Sequence, residues 1–97
     1  MPAIELFREP AWANKFRSYR VLIDGRELGR IREKEVALFE VSPGSHEVEL
    51  KIDWKRSPVL RVESREGDKI RLQCGANGLL SLFQRADSYL WLKRADS

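Results

Sequence analysis

Ser42-Pro43-Gly44-Ser45-His46-Glu47-Val48-Glu49-Leu50-Lys51-Ile52-Asp53-Trp54 opens on a tight-turn signal and runs into nearly unbroken alternation. Val48, Leu50, Ile52 and Trp54 fall on one face at period two, and Glu47, Glu49, Lys51 and Asp53 fall on the other. Successive side chains of a strand point to opposite faces, so this is an antiparallel strand that covers a core on one side and meets water on the other. The chain is therefore read as all-β.

Working outward from that strand, Tyr19-Arg20-Val21-Leu22-Ile23, Asp24-Gly25 and Arg26 to Ile31 read as a hairpin. Asp-Gly is one of the few pairs that accept positive φ at both centres of a type I′ turn. Ile4 to Arg8 is a short first strand closed by Glu9-Pro10, because proline donates no ladder hydrogen bond. Residues 11–18 read as irregular, with Trp12 and Phe16 one helical turn apart. Arg32 to Glu35 is a polar connector, and Val36 to Val41 makes a fourth strand. After the signature strand, Lys55-Arg56-Ser57-Pro58 turns the chain into Val59 to Glu63. Arg65 to Asp68 turns it again into Lys69 to Cys74, with Ile70, Leu72 and Cys74 inward. Strands recur every eight to twelve residues and no long amphipathic helix intervenes. That rhythm predicts one small antiparallel β-sandwich of about seven strands over 1–97, with a small β-barrel as the alternative.

Gly75-Ala76-Asn77-Gly78 breaks the alternation, and 79–97 differ in character. Leu79, Leu80, Leu82, Phe83, Tyr89, Leu90, Trp91 and Leu92 crowd into a short C-terminal segment that needs burial. The segment is either a last strand completing the core or a docking tail, and Tyr89, Leu90, Trp91 and Leu92 are the candidate interaction residues. Arg-Ala-Asp-Ser occurs at 85–88 and again at 94–97, which is too little to build a repeat array.

A chain of 97 residues with 42% hydrophobic content supports one core and little more. The N-terminus shows no basic stretch leading into an apolar run, so a signal peptide is not expected and a cytoplasmic location is. The run Leu79 to Phe83 is far below the roughly 20 residues of a membrane-spanning helix. Cys74 has no cysteine to pair with, which suits a reducing compartment. The formal charge is +3, and its excess lies at the two ends of the chain, while residues 21–78 carry eleven charges of each sign. Such a balanced body argues against nucleic acid, which asks for a contiguous basic face.

No catalytic set emerges. His46 is the only histidine and Cys74 the only cysteine, so neither a metal centre nor a cofactor site is expected. No nucleophile pattern surrounds His46, and it reads as a strand-start residue beside a turn. Cys74 reads as a small core residue. Glu47, Glu49 and Asp53 share one wet strand face, where cross-strand pairing with Arg61, Lys69 or Arg71 is the simpler reading than acid–base work. Gly25 to Gly29 lacks the Lys-Ser/Thr of a phosphate loop. Arg61, Arg65, Lys69 and Arg71 would form a basic stripe if their strands were neighbours, but Glu63, Glu66 and Asp68 are interleaved with them and favour solvated ion pairs. Trp54, Lys55 and Arg56 form a candidate ligand rim, an aromatic beside two cations that is either a stacking platform or the end of the inward series.

Val21-Leu22-Ile23-Asp24-Gly25 with Gly29, then Phe39 to Leu50 around Pro43-Gly44-Ser45-His46, then Val62 to Gln73 around Glu66-Gly67, resemble the PEGA-type bacterial β-sandwich over residues 19–74. The chain departs from that pattern in lacking the Pro-Glu-Gly-Ala tetrad, in carrying Arg30 after Gly29 with no Thr-Pro following, and in placing Trp54 where Gly-Tyr is common. It is also similar to small bacterial proteins with an Asp-Trp strand end and an aromatic tail. The resemblance implies an immunoglobulin- or transthyretin-like sandwich with a non-catalytic accessory role, at times at the cell envelope. It transfers no functional residue.

The expectation is thus a non-enzymatic interaction module that self-associates or docks a protein or envelope partner through its C-terminal segment. The alternatives are polyanion or nucleic-acid binding on a rim of Trp54, Lys55, Arg56, Arg61 and Arg71, and saccharide binding on an aromatic platform.

Overall fold

In the computed structural model, which describes residues 1–10, 17–53, 55–76 and 90–95, the strands follow one another as β1 (Ala3–Arg8), β2 (Tyr19–Ile23), β3 (Arg26–Ile31), β4 (Val36–Glu40), β5 (Gly44–Ile52), β6 (Lys55–Arg56), β7 (Leu60–Ser64), β8 (Lys69–Ala76) and β9 (Leu90–Arg94). They build two sheets, one ordered β4-β1-β8-β9 and the other β3-β2-β5-β6 with β7 also paired to β5. No helix occurs among the described residues. Each strand pair is antiparallel except β1 with β8, which run parallel. The sheets remain open at their edges and pack face to face, so the sandwich is realised and the barrel is not.

The predicted alternation maps onto the core. Val48, Leu50 and Ile52 of β5, Tyr19, Val21 and Ile23 of β2, and Ile70, Leu72 and Cys74 of β8 are buried between the sheets. Each such aliphatic side chain is worth about 1.5–3 kcal/mol of burial. Asp24 and Gly25 have φ of 55° and 81°, the paired positive values that a type I′ turn requires. Beyond that turn the pairing slips by one residue at Val21/Leu22, leaving Leu28 as an unmatched residue of a β-bulge.

Two local expectations need correction. The signature strand ends at Ile52 rather than Trp54: Asp53 has φ of 55° and Ile52 pairs with Lys55, so the chain reverses there at once. The orientation expected for Trp54 concerns a residue outside the described ones. Leu50 would lose its ladder partner where β5 passes from β6 to β7. Ser57 fills that gap, donating its N–H to the Leu50 carbonyl at 2.9 Å and accepting the Leu50 N–H on Oγ at 2.9 Å. Finally, β8 runs on through Gly75 and Ala76 instead of breaking there. Glycine suits position 75 because a Cβ would sit 2.7 Å from the indole of Trp91, which covers the strand at that point. The expectations for residues 11–16 and 77–89 lie outside the described residues.

Candidate functional site

Residues directly opposite one another in adjacent strands share a face of the sheet. Arg30 of β3 lies opposite Arg20 of β2, Arg20 opposite Lys51 of β5, and Lys51 opposite Arg56 of β6. Tyr19, Val21, Leu50 and Ile52, their neighbours in the chain, are buried, so this row faces away from the core. One cation from each of four adjacent strands therefore stands in register on the outer face. At a strand spacing of about 4.8 Å the row is about 14 Å long.

Like charges directly opposite one another destabilise a sheet, and the surroundings relieve only part of the repulsion. Arg56 pairs with Glu49 at 3.0 Å and Arg30 with Glu27 at 3.7 Å. Arg20 donates to the backbone carbonyl of Asp53 at 3.0 Å and feels the Asp53 carboxylate, a charge it shares with Arg17. Lys51 makes no ion pair among the described residues. Beside the row, Arg17 grips Asp53 through two hydrogen bonds of 2.6 and 2.5 Å. That fork holds the Asp53 carboxyl below the usual carboxylate range. Arg17, Ser18, Arg20, Arg30, Ile52 and Asp53 line an open pocket of ≈ 250 Å³ at this end of the sheet. Counting Arg17 with the row, five cations meet three carboxylates among the described residues, Glu27, Glu49 and Asp53.

The pocket is tied to the core by Arg8. Its guanidinium is fully buried, lies 3.7 Å over the Tyr19 ring, and donates to the carbonyls of Ile31, at 3.2 Å, and of Arg17. Sequence reading passed over Arg8, although its place two residues beyond Ile4 and Leu6 in β1 puts it on the inward face by parity.

The sequence-based rim is only partly assembled. Lys55 and Arg56 stand at the end of the row, and Trp54 is outside the described residues. Arg61 and Arg71 do not join them, since Arg61 in β7 pairs with Glu47 at 3.0 Å and Arg71 in the other sheet faces Glu5 at 3.4 Å. The stripe imagined for Arg61, Arg65, Lys69 and Arg71 fails for the same reason: β7 and β8 belong to different sheets. Arg17, Arg20, Arg30 and Lys51 were not singled out.

In the tail, Tyr89 is outside the described residues. Leu90 is 1% exposed and part of the core, Leu92 is half-buried against it, and Trp91 lies across Gly75 with the Lys93 ammonium 5.3 Å from its ring. Their first use is to close the first sheet.

His46 and Cys74 occupy quiet positions. His46 is 8% exposed and bridges Asp24 Oδ2 through Nδ1 and the Ser42 carbonyl through Nε2, both at 2.6 Å. The Asp24 contact and then the Ser42 carbonyl raise its pKa. No nucleophile takes part in this bridge. Burial pushes the Cys74 thiol up to about 12, which leaves it without reactive thiolate. Among the described residues no group of three or more His, Cys, Asp or Glu is placed to hold a metal, and no helix is long and apolar enough to cross a membrane.

Comparison of the chain with known protein families, with characterised proteins and with solved structures finds no match. The candidate site therefore rests on its own geometry.

Proposed function

We propose that this protein is a non-enzymatic binding module that holds a single-stranded nucleic acid against the outer face of the β3-β2-β5-β6 sheet. The observation that carries the reading is the register of Arg30, Arg20, Lys51 and Arg56. The intramolecular partners of Arg30, Arg20 and Arg56 offset only part of the repulsion along the row, whereas a chain of phosphates laid along it neutralises all four cations together and releases its counterions. Arginine forks suit phosphate oxygens, and a row of point contacts tracks a backbone without reading bases. Binding of this kind is sequence-tolerant and strongly weakened by salt.

The test is fluorescence anisotropy with a labelled single-stranded oligonucleotide over a range of salt concentrations. Three to four phosphate contacts give a slope of log K on log salt of about −2 to −3, each contact contributing about −0.7. Lys51→Gln and Arg20→Gln should each weaken binding and flatten that slope by about 0.7. Absence of binding at low ionic strength, or equal affinity in Lys51→Gln, would sink the reading.

A further inference from the structure

The other edge of the molecule carries a different message. Among the described residues β3, β6, β7 and β9 border their sheets with Arg26 and Arg30, with Lys55 and Arg56, with Arg61, and with Lys93 and Arg94, and β3 is bulged besides. Lysine, arginine and bulges are the usual means of keeping an edge from pairing with another chain. The remaining edge, β4, is Val-Ala-Leu-Phe-Glu and has none of them. Its register with β1 decides which backbone groups are spent. Val41 donates to Pro2 and Glu35 accepts from Arg8, so the alternate residues Glu35, Ala37, Phe39 and Val41 turn their N–H and C=O toward β1. Those of Val36, Leu38 and Glu40 point off the free edge. Val36 and Leu38 are also 55% and 58% exposed, large apolar side chains on a strand that has the backbone groups to recruit another.

We infer that β4 pairs with β4 of a second copy of this chain, antiparallel about a two-fold axis at Leu38. The strand is self-complementary in that register. Leu38 faces the partner's Leu38 and Val36 faces the partner's Glu40 as hydrogen-bonded pairs, which uses every backbone group left open on the edge. On the inner face Ala37 stands opposite the partner's Phe39, small against large, next to the core each already touches. No like charges meet, because Glu40 lies against valine and Glu35 opposite the partner's Val41. The two-fold axis is normal to the sheet and closes the pair as a dimer, with the cationic rows of both copies on one side. The association stands whatever those rows bind. An edge of five residues is a short interface, so the dimer dissociates on dilution.

Size-exclusion chromatography with light scattering on the full chain, from dilute to upper micromolar protein, tests this. The wild type should pass from the mass of one chain to that of two, and Leu38→Lys and Val36→Lys, both at exposed positions, should stay at one with unchanged circular dichroism. Hydrogen exchange supplies an independent readout: the Val36, Leu38 and Glu40 amides should slow at least tenfold in concentrated wild type and not in Leu38→Lys. A wild type that remains a monomer throughout, a dimer that survives both lysine substitutions, or a dimer whose three edge amides exchange as fast as in the monomer overturns the inference.

Discussion

Replacing His46 with glutamine separates two contributions that the native ring supplies at once. The Ser42 carbonyl can only accept, so Nε2 must carry a proton; Nδ1 then faces a carboxylate oxygen at 2.6 Å and must carry one too. The bridge is thus complete only as an imidazolium. It ties the β2–β3 turn, through Asp24, to the entry of β5, where Ser64 Oγ also donates to the Ser42 carbonyl at 3.0 Å. Glu63 of β7 adds a second negative charge nearby, and Asp24 is itself held below the usual carboxylate range by the Glu47 N–H and by His46. A charge-assisted hydrogen bond contributes about 1.5–3 kcal/mol, but Asp24 is half exposed, so we assign about 1–2 kcal/mol to the whole bridge. The folded-state pKa of His46 is raised above 6.5. Its contribution is therefore fully present below pH 6.5 and is lost as pH rises through the folded value. At the acid end the Asp24 contribution fades as pH falls below its ordinary value of 3.8. Urea unfolding of wild type and His46→Gln between pH 5 and 9 should show a difference of about 1–2 kcal/mol on the acid side that closes toward the alkaline side, with a thermal midpoint about 5–10 °C lower for the variant at pH 6. A difference that stays constant with pH, or grows toward alkaline pH, would refute the imidazolium bridge.

Three further outcomes follow from the same packing. Gly75→Ala should destabilise by about 1–3 kcal/mol, because its methyl enters the Trp91 ring; Trp91→Ala should relieve that clash, so the double variant loses less than the two single losses combined in a thermal-melt cycle. Arg8→Met should cost about 3 kcal/mol in urea unfolding with an unchanged m-value, since the Ile31 and Arg17 carbonyls lose a charged donor and Tyr19 loses its cation. Cys74, buried with its pKa near 12, should react with an aromatic disulfide reagent only as the domain opens, so its labelling rate should rise with urea in step with unfolding.

Much of this could be read without coordinates. Period-two alternation in β2, β5 and β8 exposed the inward residues, and Asp24-Gly25 announced its turn, because both signals are carried by a few consecutive residues. The same parity, which set Lys51 outward in β5, extends to Arg8 as inward in β1 and Arg20 as outward in β2, although the sequence reading did not apply it there. Gly75 looked like a breaker since its sequence neighbours gave no hint of Trp91 lying across it. Charge counted along the chain suggested a neutral body, yet the basic row is drawn from four separate strands and does not exist as a stretch of sequence.

Which side chains look inward was settled locally, by the two-residue repeat of an extended backbone. Which of them stand beside one another was not. A two-residue loop at Asp24-Gly25 with regular pairing would set Arg20 opposite Gly29 and turn Arg30 toward the core. The bulge at Leu28 shifts that register by one residue, buries Ile31 and brings Arg30 onto the outer face with Arg20, Lys51 and Arg56. A bulge is selected by how a strand packs against its neighbours, and an edge is defined by which neighbour is missing. Both are properties of the assembled sheets, so the cationic row and the open β4 edge appear only in the tertiary structure.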